Sequence, residues 1–212
     1  MSGADSTAPQ SSAAPPVSRL TVAAIVLAAG SSRRLGRPKQ LLPYRGSTLL
    51  SVTLDGVRGF GFGQAIIALG GAGEDVRAGV DLDGLTVVDS VHHTQGCSSS
   101  IVAALDAVDR SVDGFLLFLG DQPDIPPAAV DGLLAVASTG AEVAVVDYTD
   151  GLGHPFWFAR STFPALADLH GDKAVWKLLE SGRFRAEHVA VDGELPLDVD
   201  TWDDYQRLLA AE

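Results

Sequence analysis

Residues 22–28 form a near-continuous apolar run, and comparable runs recur at 64–69, 85–88, 115–119 and 142–146. Each is short and rich in branched or aromatic residues, the pattern of strands buried on both faces. The segments between them, 48–58, 74–79, 98–108 and 126–137, carry helical patterns, and Pro126 and Pro127 suit the first turn of the last. Buried strands alternating with helices predict an α/β fold: a mainly parallel sheet in a three-layer α/β/α arrangement. The loops that follow the strands would then share one edge, where open sheets of this kind bind ligands.

After Asp147 the rhythm changes. Gly151-Leu-Gly-His-Pro155 has the composition of a turn, 156–159 of a short strand, 174–180 of a helix, 184–191 of a strand and 201–211 of a helix. With no linker before it, this part is expected to be a small C-terminal β elaboration of one domain spanning 21–212. Residues 1–20 are mainly Ser, Ala, Pro and Gly and predict a disordered leader. The apolar stretch 20–29 lacks the basic n-region of a secretory signal, and its β-branched residues suit a strand. No apolar stretch reaches the length of a membrane span.

Charge sharpens the picture. The chain has a net charge of −12, which argues against a general nucleic-acid or membrane surface. A single cysteine, Cys97, excludes an internal disulfide and fits a cytoplasmic location. Yet no Asp or Glu occurs between Ser6 and Leu54, and Arg33, Arg34, Arg37, Lys39 and Arg45 gather just past the first strand. Gly30 and Gly36 interrupt that loop. Glycine-containing backbone that approaches closely, with cations beside it, is suited to a polyphosphate. The spacing is not that of a P-loop, since five residues separate Gly30 from Gly36 and Arg-Pro-Lys follows. Gly59, Gly61 and Gly63 follow a helix and precede a strand, so they do not form a dinucleotide fingerprint either.

Three other segments carry candidate chemistry. Asp121 follows the apolar run 115–119, where a carboxylate could bind Mg²⁺ or cap a turn, and Asp124 reads as a turn or cap residue. Asp200 and Thr201 precede an amphipathic helix; if Thr201 is the cap, Asp200 is released for other work. Ser98, Ser99 and Ser100 open a helix, as capping residues or as donors to an anion. His92 and His93 lack metal-ligand spacing.

The run Leu27-Ala28-Ala29-Gly30, followed by Ser32, Arg34, Gly36 and Lys39, resembles the signature of the MobA-like nucleotidyltransferases. That family includes molybdenum cofactor guanylyl- and cytidylyltransferases and sugar-phosphate nucleotidyltransferases. The resemblance covers the chain from Thr21 onward and implies a Rossmann-like nucleotidyltransferase domain. It implies that these loop residues and Ser98 bind the nucleotide, and that Arg34, Lys39 and Asp121 serve catalysis. Asp121 and Asp200 would hold Mg²⁺, the latter from the closing Asp198-Val-Asp200-Thr201 segment. Pro38-Lys39-Gln40-Leu41-Leu42-Pro43 and Gly120-Asp121-Gln122-Pro123 are similar to the cytidylyltransferase branch. So is Gly153-His154-Pro155, which places His154 beside the acceptor. Asp172 in Gly171-Asp172-Lys173 would lie there too, although Ala174 replaces a family glycine. Asp89 stands where relatives often carry Asn, and Cys97 where they carry Met.

The implied reaction moves CMP from CTP to molybdenum-bearing molybdopterin and releases pyrophosphate, with a molybdenum oxidoreductase as downstream partner. GTP-dependent guanylyl transfer and sugar-phosphate nucleotidyl transfer are the catalytic alternatives. A molybdopterin-binding chaperone without turnover is the non-catalytic one.

Overall fold

The computed structural model describes residues 20–92, 96–171 and 173–211. Its centre is a seven-stranded sheet of β1 (Val22–Ala28), β4 (Gln64–Leu69), β5 (Thr86–Asp89), β6 (Gly114–Leu119), β7 (Val143–Tyr148), β8 (Gly151–Ala159) and β9 (Ala186–Ala190). A small hairpin, β2 (Pro43–Tyr44) and β3 (Ser47–Thr48), stands apart. The spatial order is β5-β4-β1-β6-β8-β7-β9. β5, β4, β1 and β6 run parallel, β8 is antiparallel to both its neighbours, and β9 is parallel to β7.

The apolar runs become the inner strands because both of their faces are covered. Along β1, Val22, Ala24, Val26 and Ala28 enter one core while Ala23 and Ile25 enter the other, as the two-residue repeat of a strand requires. The first core meets Leu50, Leu54 and Val57 of α1 (Leu49–Gly59), Val76 of α2 (Gly73–Gly79) and Val130 and Leu133 of α4 (Pro127–Ser138). The second meets Ile101 and Ala104 of α3 (Cys97–Leu105), Leu166 of α5 (Phe163–Ala167) and Leu178 of α6 (Ala174–Glu180). The three-layer mixed α/β architecture is the one the pattern predicts. A fully buried Leu such as Leu54 contributes roughly 2 kcal/mol to holding a layer in place.

One part differs from expectation. Gly151 to Pro155 is no turn but the first half of β8, which pairs with β7 through Gly151, Leu152 and Gly153. The register shifts between Val145, opposite Phe156, and Val146, opposite Gly153, so His154 and Pro155 lie in the irregularity. The C-terminal β elaboration is built into the same sheet, as expected for one domain, with β8 and β9 on either side of β7. Trp157, almost fully buried, packs into the first core and donates its indole N–H to the Ala141 carbonyl at 2.8 Å.

A third, smaller core ties distant segments together. Leu35, Leu42, Tyr44 and Leu49 pack with Val199 and with Tyr205 and Leu208 of α7 (Trp202–Ala210). It fastens the closing segment to the loop after β1. Among the described residues no helix is long and apolar enough to cross a membrane.

Candidate functional site

β4 and β5 lie to one side of β1, and β6 lies to the other. This reversal opens a crevice beyond the carboxyl ends of β1 and β6, the position where open parallel sheets take ligands. A cleft of about 430 Å³ occupies it, with Leu27, Ala28, Ala29, Gly30, Lys39 and Asp121 among its walls. Gly120 permits the close approach of the two strands: its N–H donates to the Leu27 carbonyl at 2.9 Å, and a Cβ there would sit 3.0 Å from that of Ala28.

The loop after β1 is closed by its own side chains. Gln40, buried, donates to the carbonyls of Ala28 at 2.7 Å and Gly30 at 3.3 Å, bringing the end of the loop back to the strand. Ser32 adopts φ of 49°, in the left-handed region, and its hydroxyl accepts from Lys39 N–H at 2.9 Å. Such a backbone conformation costs about 1 kcal/mol and is held by this bond and by the buried Leu35. Gly36, with φ of 68°, turns the chain at the far end.

Lys39 then reaches across the cleft. Its ammonium donates to Asp121 and, at 2.8 Å, to Asp200, while Arg34 donates to the other oxygen of Asp200 at 2.5 Å. Burial works against the Lys39 charge, but the two carboxylates outweigh it and hold its pKa above the ordinary value. Burial likewise opposes the Asp200 charge, and Lys39 and Arg34 outweigh it to hold that pKa low. Four of the residues picked out for phosphate and metal chemistry therefore converge, though they are spread over the chain from position 34 to 200.

Asp200 is available because it does not cap α7. Thr201 caps it instead, in a reciprocal box with Asp204. Asp198 was not singled out as a site residue, yet it lines the cleft. The signal was Asp-Val-Asp: in extended chain, Asp198 and Asp200 share one side while Val199 is buried on the other. Crowding by protein, then the charges of Asp121 and Asp200, push the Asp198 pKa up to about 6. Gln122, buried, donates to the Pro196 carbonyl at 3.0 Å and holds the closing segment against the turn after β6.

Other expected positions fall differently. Arg33, rather than Arg34, lines the cleft wall, with Gly96, Cys97 and Ser100 opposite. Ser98 faces a separate hollow beside His92, Leu169 and His170. Ser32 and Gly36 line a second hollow on the outer side of the loop, with Arg37 and Asp75. Asp124 is not the N-cap of α4, which is Pro126; it accepts from Arg45 through both oxygens, at 2.6 and 3.2 Å, and from the Tyr44 hydroxyl. Asp89 pairs with Arg77 at 2.7 Å. The His154 ring packs against that of Phe156 at a tilt of 32° with centroids 4.2 Å apart, and burial pushes its pKa down to about 3. Asp172, His93, Gln95 and residues 1–19 lie outside the described residues.

Among the described residues, no three of His, Cys, Asp and Glu are grouped to hold a metal ion by themselves. Asp121 and Asp200 nevertheless converge on one cation, the Lys39 ammonium. Two hard oxygen donors aimed at one positive charge fit Mg²⁺ or a similar ion, which takes its remaining ligands from water and phosphate.

A sheet crevice with a cationic loop on one wall and carboxylates on the other defines an α/β enzyme that handles nucleoside phosphates. Comparison with known proteins makes this specific. Residues 24–189 match the model of the MobA-like NTP transferase domain, and the chain belongs to that family of nucleotidyltransferases. It is 50% identical to Rv0371c of Mycobacterium tuberculosis H37Rv, solved as a complex with manganese, with a TM-score of 0.82 over 91% of this chain and 100% of that one. It is 30% identical to the nicotine blue oxidoreductase of Paenarthrobacter nicotinovorans, over 89% of this chain and 96% of the relative. It is 25% identical to the molybdenum cofactor cytidylyltransferase of Escherichia coli K12, over 85% of this chain and 92% of the relative.

Proposed function

We propose that the enzyme transfers CMP from CTP to a phosphate of molybdenum-bearing molybdopterin, releasing pyrophosphate, with Mg²⁺ held by Asp121 and Asp200. The observation that carries the reading is the convergence of Lys39, Arg34, Asp121 and Asp200 at the β1/β6 crevice. The cytidylyltransferase-like segments around Lys39, Asp121 and His154 support the choice of base and acceptor, as does the likeness to the cytidylyltransferase of Escherichia coli. The manganese complex of the mycobacterial relative supports a divalent ion.

In this reading an acceptor phosphate oxygen attacks the α-phosphorus of the triphosphate, and the bond to the β-phosphate oxygen breaks. The acceptor is already an anion at neutral pH, so no general base is needed. The protein's part is alignment and neutralisation of charge. The backbone of Leu27 to Gly30 cradles the nucleotide, with Ser32 and Gly36 shaping the loop behind it. Arg33 flanks the phosphates from the cleft wall, and Arg34 steadies Asp200. Lys39 shifts its charge from the carboxylates to the leaving pyrophosphate. A metal ion bound by Asp121 and Asp200 supplies Lewis-acid stabilisation of the phosphate oxygens. His154, neutral, and Asp172 border the acceptor, and the product passes to a molybdenum oxidoreductase.

The test is pyrophosphate release from each of CTP, GTP, UTP and ATP with Mg²⁺, with and without the molybdenum cofactor. Release that needs both CTP and the cofactor supports the proposal; preference for GTP or for a sugar phosphate transfers it to a sister activity. The relative named nicotine blue oxidoreductase favours one second reading, an oxidoreductase. Turnover of nicotine blue without pyrophosphate release would move the assignment there.

A further inference from the structure

We infer that Lys39 is the resident cation of the carboxylate pair and that it must leave Asp121 and Asp200 before a divalent metal can take their oxygens. Metal uptake is therefore coupled to the arrival of a triphosphate that offers Lys39 another anionic partner. This inference rests on the reading of Asp121 and Asp200 as metal ligands.

The geometry makes the two cations rivals. The Lys39 ammonium contacts Asp121 and lies 2.8 Å from Asp200, and the Lys39 and Asp121 side chains are only 13% and 10% exposed. A metal ion bridging the two carboxylates would take the place where the ammonium bridges Asp121 Oδ2 and Asp200 Oδ1, and the like charges would repel. Nor can Lys39 simply withdraw into solvent with its backbone. Its N–H is held by Ser32, and the adjacent Gln40 is fixed to the carbonyls of Ala28 and Gly30. Only the side chain can swing. A lysine stripped of both partners inside the cleft would be a buried unpaired charge, which is strongly unfavourable.

A bound triphosphate removes that penalty. The lysine stem already lies against Gly30, with Cε 3.5 Å from where a Cβ would stand, on the loop whose backbone borders the cleft. A short swing along this loop leads toward Arg33 on the same wall. Lys39 therefore exchanges carboxylates for phosphate, and the vacated oxygens accept the metal. Arg34 reinforces the order, since it neutralises Asp200 from the far side and lowers its attraction for a second cation.

Mn²⁺ binding to the full chain without nucleotide, followed by calorimetry, tests this directly. Lys39→Gln should bind Mn²⁺ at least ~10-fold more tightly than wild type, the scale on which one neighbouring charge alters a carboxylate's affinity for a cation. Lys39→Arg, which keeps the charge, should bind as weakly as wild type. If Lys39→Gln is only marginally folded, thermal unfolding gives the same answer: Mn²⁺ should raise its Tm by more than that of wild type. Mn²⁺ binding or a Tm rise no greater in Lys39→Gln overturns the inference, and the metal reading survives if wild type still takes Mn²⁺ beside a non-hydrolysable CTP analogue. No Mn²⁺ in either protein with that analogue overturns both.

Discussion

Thr201 and Asp204 hold one another in a closed pair: the Thr201 hydroxyl accepts from Asp204 N–H at 3.2 Å, and an Asp204 oxygen accepts from Thr201 N–H at 2.8 Å. The same oxygen accepts from Asp200 N–H at 3.3 Å, so the cap also sets the backbone from which Asp200 reaches Lys39. Thr201→Ala should lower stability by about 1 kcal/mol, the usual loss for an N-cap. It should also lower kcat, because Asp200 loses its fixed origin. Urea unfolding and steady-state kinetics read the two effects separately, and a stability loss with unchanged kcat would show that Asp200 does not depend on the cap.

Asp121→Asn keeps the shape of the side chain but removes the charge opposite Lys39. Pyrophosphate release should fall by at least ~100-fold, the scale of removing one preorganised electrostatic element. Near wild-type turnover would remove Asp121 from the catalytic set.

Arg33 and Arg37 both line the outer hollow of the loop, but of the two only Arg33 also borders the main cleft. Arg33→Ala should raise KM for the triphosphate by about tenfold, the loss of one charged hydrogen bond. Arg37→Ala should change it little. Equal effects in a kinetic comparison would show a diffuse field and no direct contact.

His154 gives a pH dependence of known sign. Its pKa is about 3 in the folded protein and about 6.5 when unfolded. The unfolded chain binds the extra proton between these values, so the stabilising contribution is complete above about 6.5 and declines as pH falls toward 3. The slope from this group alone approaches roughly 1.4 kcal/mol per pH unit. His154→Phe keeps a ring against Phe156 and should flatten the decline between about pH 6 and pH 5. Urea titrations at the two pH values that give the same difference for both proteins would rule out a neutral buried His154.

The inner strands were legible because burial on both faces leaves a continuous apolar run, as at 22–28 and 115–119. The second half of β8, 156–159, was legible in the same way, but its first half, Gly-Leu-Gly-His-Pro, was not, and joins the sheet by tertiary pairing with β7 against local preference. The cationic loop and Asp121 could be read from short-range order, one strand end each. The capture of Arg45 by Asp124 could not, because it depends on a contact between segments far apart in the chain. Resemblance supplied Asp200, and spacing alone would have left it as a cap.

The third core, in which Val199, Tyr205 and Leu208 pack against Leu35 and Leu42, shares little with the two that hold the sheet. A fluctuation that lifts α7 would part Asp200 from Lys39 and Arg34 while every strand stays paired. The enzyme can thus be silent yet still register as folded in any measurement that watches only the sheet. Hydrogen exchange in α7, compared with loss of turnover in mild denaturant, would reveal a working lifetime shorter than that of the fold.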